Sequence, residues 1–177
     1  MPLAVLHRET EALIRASGIP FVLLRNGWYS ENYTTMRLPE LLAGSFLGAA
    51  GRGCISSAVR ADLASAAATV LATHSVQSGT AYELAGDAYT LAELATEISR
   101  QSGNPVVYRD LEEAAYKAVP TSAGLAEDFA QLFAEADAEA ALGPLFGERR
   151  QLSRLIGRPT TTMAHSVAAA LFARSSP

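Results

Sequence analysis

Along the chain the spacing of apolar residues switches repeatedly between a helical and a strand period, and each switch marks an element. Leu3, Leu6, Thr10, Leu13, Ile14 and Ser17 share one helical face, and Gly18 followed by Pro20 stops that helix, so the first element is predicted over residues 3–17. A buried-type strand follows at 21–24. Residues 33–43 read as a helix disturbed at Pro39, and 44–53 as a glycine-rich connection into a short strand at 54–57. A helix opens at Asp62 with Leu63, Ala67, Val70, Leu71 and His74 on its inner face, and its many alanines imply close packing against a sheet. A strand around Tyr82 and Leu84 ends at Gly86-Asp87. Thr90 and Glu93 form a capping box that opens a helix with Leu91, Leu94, Ala95 and Ile98 inward, and Gly103 closes it. Beyond a short strand at 106–108, residues 112–142 read as helical and acidic, broken near Pro120 and Gly124, and a last helix spans about 163–173.

This alternation predicts an α/β fold with a helical C-terminal cap over one end of a sheet. With 177 residues the chain suffices for a single domain, in which 1–110 supply the strands with their helices and 111–177 a mostly helical cap. A net charge of -4, with no basic run longer than Arg149-Arg150, argues against a nucleic-acid partner. No apolar run approaches the ~20 residues that span a bilayer, and the opening Pro2 to Leu6 is too short for a signal sequence, so a cytoplasmic protein without a membrane partner is expected. One cysteine, Cys54, excludes an internal disulfide and reads as a small buried hydrophobe. His7, His74 and His165 lack ligand spacing, so no metal is expected.

Candidate chemistry concentrates between Leu23 and Tyr33, where the strand empties into the loop Asn26-Gly27-Trp28-Tyr29-Ser30-Glu31. Open parallel sheets bind ligands outside the carboxyl ends of their strands, and this turn offers amide, ring and carboxylate together. Yet no G-x-G-x-x-G or G-x-x-G-x-x-G phosphate fingerprint follows any strand, so half of a nucleotide site stands without its other half.

The stretches Leu23 to Tyr33, Gly48 to Asp62, Tyr82 to Asp87 and Leu155 to Thr162 together resemble the bacterial type 2 NAD(P)H:quinone oxidoreductases, in the NmrA-like branch of the atypical short-chain dehydrogenases. The resemblance covers nearly the whole chain in family order, but only the later part of the family's length. It implies the C-terminal part of a Rossmann-like parallel sheet with a helical cap on the substrate side, without the N-terminal βα units that hold adenosine and pyrophosphate. A truncated product, a misassigned start or a natural fragment would each account for that.

The resemblance also implies roles. The family's counterpart of Asn26, Gly27, Trp28, Tyr29, Ser30 and Glu31 lies beside the nicotinamide and ribose of NADP(H), which makes these six the expected wall for NADP or NAD, with no flavin and no metal. The chemistry suits: Asn26 can donate and accept toward a carboxamide, Gly27 lets backbone approach, and Tyr29 offers a flat face with a polar tip to a ring substrate. The competing reading is that Trp28 and Tyr29 plug a gap between sheet and cap. His7 falls near the lysine of the family's tyrosine-lysine pair and, with Tyr29, is the catalytic candidate; a helix histidine satisfied by backbone is the alternative. No Tyr-x-x-x-Lys occurs here, and quinone reduction needs only a nearby proton donor once hydride has moved.

Elsewhere the residues lean structural. Asp62 is expected to cap its helix and Arg60 to pair with Glu31 or Asp87; the acidic side chains between Glu112 and Glu139 are expected on a solvated face, and the Tyr33/Arg37 spacing is taken as coincidence. Three functions stay open: an NAD(P)H-dependent quinone reductase to which this chain gives the substrate side and nicotinamide wall, an NAD(P)-sensing regulatory module, or an inactive fragment. A small-molecule quinone is the expected partner of the first, and self-association is left open. The isolated chain is expected neither to complete the reaction nor to bind NADPH tightly.

Overall fold

The computed structural model describes residues 2–73, 78–117, 127–143, 145, 147 and 150–175. Helix α1 (Pro2–Ala16) leads into strand β1 (Val22–Asn26), which pairs in parallel with β4 (Thr80–Leu84), Leu24 facing Tyr82 and Asn26 facing Leu84. Two further pairs complete the strands. Strand β2 (Ser45–Gly48) runs parallel to β6 (Val107–Asp110), and β3 (Cys54–Ser56) antiparallel to β5 (Ala88–Thr90). Between β1 and β2 the chain forms a π-helical turn (Asn32–Met36) and helix α2 (Leu38–Leu42). The remaining helices are α3 (Arg60–Ala72), α4 (Leu91–Ser102), α5 (Glu113–Lys117), α6 (Glu127–Leu142), α7 (Gln151–Ile156) and α8 (Met163–Ser175). None of the described helices is long and apolar enough to cross a membrane.

Local chemistry explains the boundaries. Glu93 Oε2 accepts from Thr90 N at 2.7 Å while Glu93 N donates to Thr90 Oγ1 at 3.2 Å, closing the expected capping box of α4, and Gly103 ends that helix at φ 74. Helix α3 opens differently from expectation. Its N-cap is Val59, and Asp62 points its carboxylate elsewhere: it accepts from Arg158 Nη2 at 2.5 Å and Thr161 N at 2.6 Å, tying the α7–α8 connection to α3. The first amide of α3 is served from outside, by Glu31 Oε1 accepting from Arg60 N at 2.9 Å.

Two cores result. The larger one gathers Tyr33, Phe46, Ile55, Leu91, Leu94, Ile98, Phe133 and Val167 between β2, the π-helical turn, α4, α6 and α8. The smaller, Ala58, Leu63, Ala66, Leu84 and Leu152, lies between the β1/β4 pair and helices α3 and α7. Among the described residues β1 is paired on one edge alone. Helix α1 leaves Leu6 and Leu13 exposed, Leu13 at 73%, and Leu71, expected inward on α3, is 86% exposed. The expected connection over 44–53 contains β2, and α7 was not foreseen; His74 and the expected break near Pro120 and Gly124 lie outside the described residues.

Candidate functional site

Strand β1 ends at Asn26, and the next residues are held rigidly against its neighbours. Gly27 N donates to Leu84 O at 2.8 Å, Ala58 N to Trp28 O at 2.9 Å and Ser30 N to Ala58 O at 3.0 Å, so residues 27–30 run as a short extended segment beside Ala58. A Cβ on Gly27 would stand 3.0 Å from Leu84 O, so glycine lets the chain pack closely here. The extended backbone sends successive side chains opposite ways. Tyr29 packs on the smaller core with the Arg60 guanidinium 5.2 Å from its ring centroid. Trp28 turns into the larger core, edge-on to Phe133 at 5.7 Å. Ser30 is buried, its hydroxyl 2.9 Å from Ser57 Oγ, which in turn is 2.6 Å from Tyr89 OH.

Beside this segment lies a cleft of about 610 Å³ between α1 and β1, a size usual for small-molecule sites. His7, Asn26 and Tyr29 all line it, with Ile14, Leu23 and Leu24 supplying apolar wall. Its charges are largely compensated: Arg25 grips Glu11 through Nε at 2.7 Å and Nη2 at 2.6 Å, and reaches Glu83 through Nη1 at 2.6 Å. Those hydrogen bonds hold the Glu11 carboxyl below its ordinary range and raise the guanidinium's own. Of the six residues expected to form one wall, the structure thus brings Asn26 and Tyr29 together with His7. Trp28, Ser30 and Glu31 serve the scaffold around them, although Trp28 Nε1 and Glu31 Oε2 are buried without a partner among the described residues.

The fold has close counterparts. Quinone oxidoreductase 2 of Escherichia coli is 50% identical over 162 residues, 91% of this chain and 56% of that protein. Over that length the chain is a close homologue of the E. coli protein. Crystal structures of the E. coli NADPH-dependent quinone oxidoreductase, alone and complexed with NADPH, match with a TM-score of 0.89 over 96% of this chain and 62% and 60% of theirs. Triphenylmethane reductase of Citrobacter sp. complexed with NADP(H) is 32% identical, with a TM-score of 0.88 over 96% of this chain and 60% of that one. The chain therefore spans little more than half the length of the proteins it matches. No family model matches it. The Rossmann-like, NmrA-type α/β fold and the kinship with quinone reductases read from the sequence are borne out.

Other features were not legible in the sequence. Asp137, expected on a solvated face, is fully buried: it accepts from Ala49 N at 3.2 Å and, more weakly, from Tyr33 OH at 3.4 Å. Burial pushes its carboxyl up to about 6 despite the opposing pull of Arg37. Tyr33 and Arg37 belong to the same core. Arg37 donates to Leu47 O at 2.7 Å with its guanidinium 4.8 Å from the Phe46 ring centroid and 5.3 Å from that of Phe133, so their spacing has no bearing on a tyrosine-lysine pair. Only Gly48, where a Cβ would come 2.7 Å from Asp137 Oδ2, hints at the buried carboxylate in the sequence. Arg60 meets Glu31 through its backbone amide, and its side chain supports Tyr29 instead of pairing with Asp87. Cys54 is half-buried with a free thiol.

Proposed function

We propose that this chain is the substrate side and nicotinamide wall of an NADPH-dependent quinone reductase. One observation carries the reading: His7, Asn26 and Tyr29, distant in role and partly in sequence, converge on a single cleft at the carboxyl end of a parallel strand, in a chain 50% identical to a reductase crystallised with NADPH. The residues suit that group. Asn26 is exposed at the strand end and can bond a carboxamide through both amide atoms. Tyr29, with the Arg60 guanidinium 5.2 Å from its ring centroid, offers a planar surface that excludes water from a ring laid against it. A bound dihydronicotinamide supplies hydride to the electrophilic quinone ring. His7, across the cleft on α1, delivers a proton to the resulting oxygen through an imidazole nitrogen or one water.

The test is quinone-dependent NADPH oxidation by the protein carrying this chain. Tyr29→Ala should lower kcat/KM for quinone by about tenfold or more, Asn26→Ala should raise KM for NADPH, and His7→Ala should act mainly on kcat. If Tyr29→Ala leaves kcat/KM unchanged, the cleft is not the site. A chain that binds NADPH but never oxidises it is instead a redox-sensing module, a reading supported by the lack of a tyrosine-lysine pair along the cleft. NADPH titrated into the 177-residue chain by itself should show no sub-micromolar binding.

A further inference from the structure

A second cleft, of about 370 Å³, opens beyond the end of β4, between Ala85-Gly86-Asp87 and α7. It is a neighbour of the first, since Asn26 and Leu84 are register partners at the ends of paired strands, but its chemistry differs. Three arginines line it at four-residue spacing: Arg150, Arg154 and Arg158. Arg158 is already engaged, donating to Asp62 and to Pro159 O at 3.1 Å. Arg150 and Arg154 are exposed and make no ion pair with any described residue. Arg150 is also the only described non-glycine residue at positive φ, 46°, and its carbonyl is pinned by Ser153 Oγ at 3.0 Å. The cleft floor is backbone: a Cβ on Gly86 would lie 2.1 Å from Ser57 O. Across from the arginines stands Asp87, exposed, with no described cation in salt-bridge reach.

We propose that this cleft binds a small phosphorylated polyol, its phosphoryl group between Arg150 and Arg154 and a hydroxyl donating to Asp87. Two guanidiniums lining one cleft supply the forked donors that match the several oxygens of a phosphoryl dianion. A carboxylate at the far wall excludes a second anionic group there and selects a donor. A neutral quinone ring uses neither feature, so the site is independent of the reductase cleft and stands or falls separately from it.

The experiment follows backbone amide shifts of the chain by NMR during titration with inorganic phosphate and with glycerol 3-phosphate, at constant ionic strength. Both should give saturable shifts centred on Gly86, Ser153 and Thr160. Replacing both arginines, Arg150→Gln with Arg154→Gln, should weaken both ligands by about tenfold or more. Asp87→Asn should weaken glycerol 3-phosphate alone, leaving inorganic phosphate unchanged or tighter, and Tyr29→Ala should leave both unchanged. Linear shifts matched by sodium chloride overturn the proposal, as does undiminished binding in the arginine variant. Arg154→Glu, a charge reversal on an exposed side chain, gives a second check: retained phosphate binding refutes the site.

Discussion

Around Phe133 the chain closes on itself: rings from Trp28, Tyr33 and Phe46, helices α4, α6 and α8 and strand β2 leave that side chain 2% exposed. Around β1 the same chain stops short. One strand edge is unpaired among the described residues, α1 shows Leu6 and Leu13 to solvent, and the Arg25–Glu11 ion pair ties that helix to the strand. The difference teaches where energy and chemistry have been placed. The closed region supplies rigidity, and the open one carries the cleft with His7, Asn26 and Tyr29.

Three perturbations would break or sharpen this contrast. Phe133→Ala should have the largest effect, about 3–5 kcal/mol by chemical denaturation, because a packed ring leaves a cavity between Trp28 and Tyr33; a loss below about 1 kcal/mol would mean the larger core is not closed. Asp137→Asn should change stability by about 1–3 kcal/mol in a pH-dependent way. The folded carboxyl titrates at about 6 against an ordinary 3.8, so its proton stabilises the fold fully below about pH 4, and that contribution is lost as pH rises through 6. The variant should therefore flatten the stability profile between about pH 4 and 6 and be the more stable protein at pH 7. An unchanged slope would show that Asp137 is not the titrating group. Smallest is Leu13→Gln on α1, expected within about 0.5 kcal/mol of the parent because the side chain already faces water. A larger loss would reveal packing of α1 against something beyond β1.

Where a rule is local the sequence was readable. The capping box of Thr90 and Glu93, the inward face of Leu91, Leu94 and Ile98 and the stop at Gly103 needed only residues a few positions apart. Helices α1 and α8 were legible for the same reason. Strand β2 was not, because its residues Ser45–Gly48 sit among glycines and gain their conformation by pairing with β6, some sixty positions away. Asp62 and Asp137 were misread because a carboxylate's partners are set by tertiary contacts: Arg158 and Thr161 for the first, Ala49 and Tyr33 for the second. For the candidate site, the sequence pointed to the loop but not to its division. Only the extended backbone of 27–30 separates Tyr29, on the cleft, from Trp28 and Ser30, which turn inward.

The grip of Arg25 on Glu11 makes one side of the α1–β1 cleft an electrostatic fastening, while Tyr29 on the opposite side is fixed by its neighbours, Trp28 O accepting from Ala58 N and Ser30 N donating to Ala58 O. Mobile ions weaken the first and leave the second untouched. The gap between imidazole and phenol thus answers to salt in the surroundings, tightening in dilute solution and relaxing in brine, so that His7 moves while Tyr29 stays still.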